Sequence, residues 1–197
     1  MVSKTLKLPV SPLRHPFIDP GSVYDGNLWD WDSFWALYGI KELDNDALPA
    51  GWTEHGKGNV LNFLDHQLKD GYIPMVIGTH KNEEIPYLNR QHLSGKVMNM
   101  HKPFLCQQTL LVMEILQEAS WIAPCMEKLD LYFTFYDNNY YHENTGLYVW
   151  ADDIMIGMDN DPASFGRTPG TTANIFLNGF MVKELQSMAE ICSILKQ

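Results

Sequence analysis

Apolar residues recur at helical spacing in several stretches of this chain, and the segments between those stretches are too long to be simple turns. That alternation constrains the fold more than any other feature. Residues 103–120 make the clearest helix, opening on Pro103, whose missing N–H suits a first turn. Over 31–43, Phe34, Leu37, Tyr38, Ile40 and Leu43 form a buried stripe, with Asp30 or Asp32 placed to cap it. A second helix is expected over 59–69, ending at Asp70 and Gly71, where glycine supplies a left-handed C-cap. Residues 124–135 continue as another helix. The last runs over 172–195, with Phe176, Phe180, Leu185, Met188, Ile191 and Leu195 on one side. Residues 1–27 are extended, punctuated by Pro9, Pro12, Pro16 and Pro20, and should wrap a surface or cross a pocket mouth. Residues 75–100 read as an irregular arm, and 146–150 as a short strand. Connections beyond about 12–15 residues are uncommon unless they carry function.

With 197 residues the chain is long enough to bury a real core in one domain. Its net charge of −10 argues against a nucleic-acid backbone or an anionic membrane surface as partner. Cys106, Cys125 and Cys192 are odd in number and widely spaced, each inside an apolar helical pattern. They read as buried free thiols rather than a disulfide framework or a zinc site. The first twelve residues lack the apolar core of a signal peptide, so a cytoplasmic location is the default. A periplasmic one is open if a preceding segment is missing. The seven histidines show no metal-ligand spacing. Glu114, Glu118, Glu184 and Glu190 fall in helical patterns as solvated faces.

Two short segments carry the chemistry. Residues 28–35 hold three of the six tryptophans, Trp29, Trp31 and Trp35, together with Asp30 and Asp32. Indole faces stack on the apolar face of a pyranose, and carboxylates grip its hydroxyls or move its protons. The second segment sets Asp159 in a turn of Gly157, Met158, Asn160 and Pro162, which is equally good turn chemistry without a function. Asp152, Asp153 and Asp161 lie close in sequence, and neighbouring like charges raise a carboxyl pKa, as a general acid requires. The same carboxylates suit calcium, although no EF-hand spacing is present. Gly71, Tyr72, Ile73 and Pro74 follow a helix end and would deliver Tyr72 to a pocket rim.

Taken in order, these motifs resemble glycoside hydrolase family 63 and its trehalase-like relatives, in the branch acting on mannosylglycerate and glucosylglycerate. Trp29, Asp30, Trp31, Asp32, Ser33 and Phe34 are similar to its WDSF-type signature, and Gly71 to Pro74 to its GYIP element. His101, Lys102, Pro103 and Phe104 resemble the start of a helix containing QPP. Gly157, Met158, Asp159 and Asn160 resemble the SG-x-D-N segment that carries the catalytic acid. The four motifs span roughly residues 20–180.

The resemblance implies an all-α fold, the (α/α)6 toroid-type barrel, with long aromatic-rich loops and a short β-hairpin. Residues 1–27 would be an extended N-terminal segment, and 28–197 a partial catalytic domain truncated at its C-terminus. It further implies inverting hydrolysis of an α-glucoside or α-mannoside in a small saccharide or oligosaccharide, with Asp159 as general acid. Tyr24, Trp29, Asp30, Trp31, Asp32, Tyr72, Lys102 and Gly157 would bind the sugar. No cofactor is required. The second carboxylate of an inverting pair would be a glutamate from a missing C-terminal half or a partner chain. Asp153 or Glu143, both in turns close to Asp159, would not reach the opposite face of the ring. A saccharide-binding or assembly subunit without catalysis is the alternative. Ile156 and Lys102 depart from the family's serine and glutamine at those positions. Half a barrel would also leave apolar helix faces uncovered.

Overall fold

A computed structural model of the chain describes residues 2–21, 24–43, 46, 48–79, 87–152, 155–158 and 161–196. The N-terminal segment contains a single helical turn, α1 (Val2–Thr5), and two short strands, β1 (Leu6–Lys7) and β2 (Phe17–Ile18), paired antiparallel with Leu6 opposite Ile18. It wraps α3 (Thr53–Asp65). Asn62 Oδ1 accepts from the Arg14 and His15 amides at 2.9 and 3.1 Å, and Asn59 Oδ1 accepts from the Ile18 amide at 2.8 Å. The carbonyl of Pro16 occupies the space a Cβ at residue 58 would need, so Gly58 lets the segment lie against the helix.

Strand β3 (Asn27–Trp29) pairs antiparallel with β4 (Val76–Gly78), Trp29 facing Val76, and leads directly into α2 (Asp30–Ile40). A hairpin of β5 (His92–Leu93) and β6 (Lys96–Val97) precedes α4 (Leu105–Leu116). A 3-10 turn over Ser120–Cys125 leads to α5 (Met126–Tyr140), and β7 (Tyr141–His142) pairs with β8 (Leu147–Tyr148). Helix α6 (Ile175–Leu195) closes the order, capped by Asn174, whose Oδ1 accepts from the Leu177 amide at 3.0 Å.

The all-α toroid expected from the motifs does not hold. Helices alternate with four two-stranded antiparallel sheets, so the architecture is mixed α and β. The cause lies in the connections. Leu28, Trp29, Val76 and Ile77, and likewise Tyr141 and Tyr148, suit a pleated backbone, and pairing two such stretches satisfies N–H and C=O groups that a buried loop would leave open.

Several helix bounds also move. Helix α2 starts one residue early with Trp29 at its N-cap and no side-chain cap, so neither Asp30 nor Asp32 serves as one. Helix α3 begins at Thr53, well before 59, because Gly56 and Gly58 are tolerated where neighbours press close. A Cβ at 56 would lie 3.0 Å from Leu37 and 3.1 Å from Val112, on α2 and α4. Helix α5 runs on to Tyr140. Helix α3 also ends at Asp65 with His66 as its C-cap, so Gly71 does not cap it; Gly71 takes a φ of 95° in the turn beyond, against the Leu131 carbonyl.

The main core joins Leu28, Phe63, Ile73, Met100, Leu105, Tyr132, Trp150, Leu177 and Met181, so it draws on every long helix except α2. A second cluster, Ile18, Leu37, Ile40, Trp52, Leu111 and Val112, fastens α2 to α3 and α4. Among the described residues no helix is long and apolar enough to cross a membrane.

Candidate functional site

The site is organised by one buried ion pair. Where β3 runs into α2, the Asp30 amide donates to the Met75 carbonyl at 2.9 Å, fixing the helix start against the strand edge. The Asp30 carboxylate is fully buried. Its Oδ1 accepts from the Trp31 amide at 2.6 Å and from Lys102 Nζ at 3.0 Å. Oδ2 accepts from the Lys102 amide at 2.7 Å. Lys102 is itself buried to 1% exposure, so its ammonium has no water to replace this partner. A desolvated carboxylate and a desolvated ammonium are tolerated only as such a pair, with further hydrogen bonds completing the carboxylate.

The backbone that carries Lys102 is held from two sides. Residues 73–75 flank it: the His101 amide donates to the Ile73 carbonyl at 2.9 Å and the Met75 amide to the Asn99 carbonyl at 3.1 Å. From α5, three tyrosines at four-residue spacing share one face. Tyr132 donates to the Lys102 carbonyl at 2.8 Å, Tyr136 to the His101 carbonyl at 2.7 Å and Tyr140 to the Val97 carbonyl at 2.9 Å. Burial pushes all three phenols well above their ordinary range, so they remain donors. His101 Nδ1 lies 2.6 Å from the Lys102 carbonyl, an acceptor only, so Nδ1 carries the proton. The ring packs edge-on to Phe63, and burial lowers its pKa to about 4.

Above this pair lies an aromatic bank. The Trp31 ring meets Trp35, Phe104 and Phe180 edge-on at 5.7, 5.3 and 5.9 Å between centroids, and Phe34 stacks on Phe104 at 4.7 Å. Trp31, Trp35 and Tyr38 fall at i, i+4 and i+7 of α2, half-buried at Trp31 and exposed at the other two. Gly157 closes on the same indole. Its φ is 81°, and a Cβ there would sit 2.7 Å from Lys102 Cε and 3.0 Å from Trp31 Cδ2. Only glycine lets the 155–158 turn touch both the indole and the lysine stem.

Four of the residues singled out from the sequence therefore meet: Asp30, Trp31, Lys102 and Gly157. Asp30 and Lys102 are buried, with Asp30 accepting from the Trp31 backbone amide, and both are out of reach of a ligand. Tyr72 is not at a rim but inside, because its hydroxyl donates to the Asn99 carbonyl at 3.1 Å and the Arg90 guanidinium covers its ring. Tyr24 is exposed and meets Trp29 edge-on at 5.6 Å. Asp32 is half-buried in the first turn of α2. Asp159 and Asp153 lie outside the described residues. Asp161 caps the turn that follows, its Oδ1 accepting from the Ala163 amide at 2.9 Å. Glu143 is exposed in the turn between β7 and β8.

Glu184 corrects the sequence reading most sharply. It is fully buried rather than solvated, and it caps α4 from α6. Its two oxygens accept from the Cys106 amide at 2.6 Å and the Gln107 amide at 3.1 Å, supplying acceptors to donors that α4 cannot satisfy itself. Burial still raises its pKa to about 7, the two amides pulling the other way. Of the thiols, Cys106 is buried while Cys125 and Cys192 are half-buried, and all three are free. Among the described residues, no group of three or more His, Cys, Asp or Glu is placed to hold a metal ion. The four-residue spacing of Tyr132, Tyr136 and Tyr140 was a readable signal; nothing local marked Glu184.

Compared with known proteins, the chain matches no family model and no curated protein.

Proposed function

We propose that this chain acts on α-glycosides, with Trp31 as the stacking wall of a sugar site and Asp159 as the general acid. The observation that carries the reading is the convergence on Trp31. Residues from segments as far apart as 30, 102 and 157 meet at one half-buried indole, and a turn two residues before Asp159 lies on that ring. Structural packing alone would be served by an apolar partner. Here a buried ion pair holds the Trp31 backbone amide, and a glycine lets the neighbouring turn approach the indole.

In this reading Asp30 and Lys102 are positioning residues, and Asp32 with the exposed edges of Trp35 and Tyr38 offers hydrogen bonding and ring surface to a polyhydroxylated ligand. Asp159 would protonate the departing glycosidic oxygen. Inversion needs a second carboxylate about 6.5–9.5 Å away across the ring to activate water. Glu184 does not serve, being committed to the N-terminus of α4. A glutamate from a further segment or partner chain completes the pair, consistent with the resemblance to glycoside hydrolase family 63.

The test separates binding from turnover. Titration with α-glucosides and α-mannosides should give saturable quenching of tryptophan fluorescence, lost in Trp31→Ala. Asp159→Asn should keep that binding and abolish hydrolysis in the complete enzyme. Undiminished turnover in Asp159→Asn would refute the assignment of the acid, and absence of any saccharide binding would refute the site. Binding with no hydrolysis under any partner condition would leave a saccharide-binding subunit instead.

A further inference from the structure

Helix α6 buries one face against α4 through Leu177, Met181, Glu184, Ser187 and Ile191 and leaves the opposite face open. On that outer face Ile175 and Val182 are 81% and 54% exposed, and Phe176, Leu185 and Ile194 are exposed along its flanks. The outermost line of side chains is Ile175, Gly179, Val182, Gln186, Ala189 and Ser193, alternating steps of four and three residues. This is the seam of a helix made to pack on another helix, and it carries no charge. Gly179 lies in the second turn of the helix, where a Cβ would meet nothing within 4 Å. Such a glycine weakens a helix relative to alanine, and none of the described residues packs against it.

The charges beside the seam identify the occupant. Phe176, Lys183 and Glu190 recur at seven-residue intervals along one flank, and Lys183 and Glu190 are both exposed. They lie about 10 Å apart along the axis, too far to pair with each other. We infer that α6 pairs antiparallel with α6 of a second copy of this chain, about a two-fold axis passing between Gln186 and Ser187. That axis sets Lys183 against Glu190 of the second copy and Glu190 against its Lys183. Gln186 then meets Ala189 across the seam and Val182 meets Ser193, small enough for close approach. A parallel pairing would set Lys183 and Glu190 beside the other flank, where Asn178, Leu185 and Cys192 offer no opposite charge. An isologous contact of this kind needs one self-complementary patch, which is what the lysine and glutamate supply.

The face is about 30 Å long and about 10 Å wide, so the pair covers on the order of 600 Å², below the standard size of stable interfaces. The dimer is accordingly weak. Sedimentation velocity of the full chain from about 5 to about 500 μM should show the weight-average coefficient rising from monomer toward dimer. Lys183→Glu and Glu190→Lys, both on the surface and checked for folding by circular dichroism, should each remain monomeric over that range. An equimolar mixture of the two should associate again, because each cross pair then joins unlike charges. A wild-type chain that stays monomeric throughout would overturn the inference. So would single variants that associate as the wild type does, or a mixture no more associated than its components.

Discussion

Replacing Lys102 by methionine isolates the contact on which the site is built. The substitution keeps the length of the stem beside Gly157 and Trp31 but removes the ammonium from a carboxylate that is fully buried. Asp30 keeps two backbone donors, the Trp31 and Lys102 amides at 2.6 and 2.7 Å, and loses the Lys102 ammonium. Removing one partner of a buried pair costs about 3–5 kcal/mol. That is a third or more of the stability of an ordinary domain. With a urea dependence of about 2 kcal/mol per molar, the unfolding midpoint should fall by about 1.5–2.5 M. Asp30→Asn combined with Lys102→Met should recover most of the loss, because an amide can still accept from the Lys102 amide and leaves no net charge behind. The coupling between the two changes should be at least about 2 kcal/mol. Urea unfolding followed by far-UV circular dichroism, with tryptophan emission recorded alongside, reads both quantities. The reasoning fails if Lys102→Met shifts the midpoint by less than about 0.5 M, or if the double variant is as unstable as the worse single.

Gly157→Ala introduces a methyl group into the Lys102 stem and the indole at a φ of 81°, so it should cost about 1–3 kcal/mol of stability and weaken saccharide binding together. Unchanged binding would separate that turn from the site. Burial holds His101 at about 4, so the unfolded chain takes up a proton that the folded chain refuses, and stability falls as pH drops from 6.5 toward 4. Burial raises Glu184 to about 7, so the folded chain keeps a proton that the unfolded chain releases, and this contribution falls as pH rises from 4.5 to 7. The two slopes oppose one another over the shared window; Glu184→Gln should expose the His101 slope of about 1.4 kcal/mol per pH unit, seen in denaturation midpoints from pH 4.5 to 6.5. A pH profile identical to that of the wild type would contradict it. Tyr136→Phe should cost about 1 kcal/mol by depriving the His101 carbonyl of its 2.7 Å donor, measurable in the same unfolding assay.

Local pattern was enough to locate α4 and α6 as helices, because apolar residues recur there near a 3.6-residue period, but it did not give the inward face of α6: Phe176 and Leu185 are exposed, while Leu177, Met181, Glu184 and Ser187 are buried. The aromatic and acidic density of 28–35 also marked the segment where Asp30 and Trp31 meet Lys102 and Gly157. What the sequence could not determine was which polar groups would face each other. Asp30 and Lys102 stand 72 residues apart, and Glu184 caps a helix that begins 79 residues earlier; neither position differs locally from a solvated charge. Desolvation decides such cases. A carboxylate in water needs no particular partner, whereas the same group at the meeting of α2 with the 99–102 segment, or of α4 with α6, must find its donors there. The short sheets followed the same rule, arising where two connections happened to run side by side and could satisfy each other's backbone. Periodicity therefore located the helices, while tertiary packing alone chose the inward face of α6 and the partners of the buried charges.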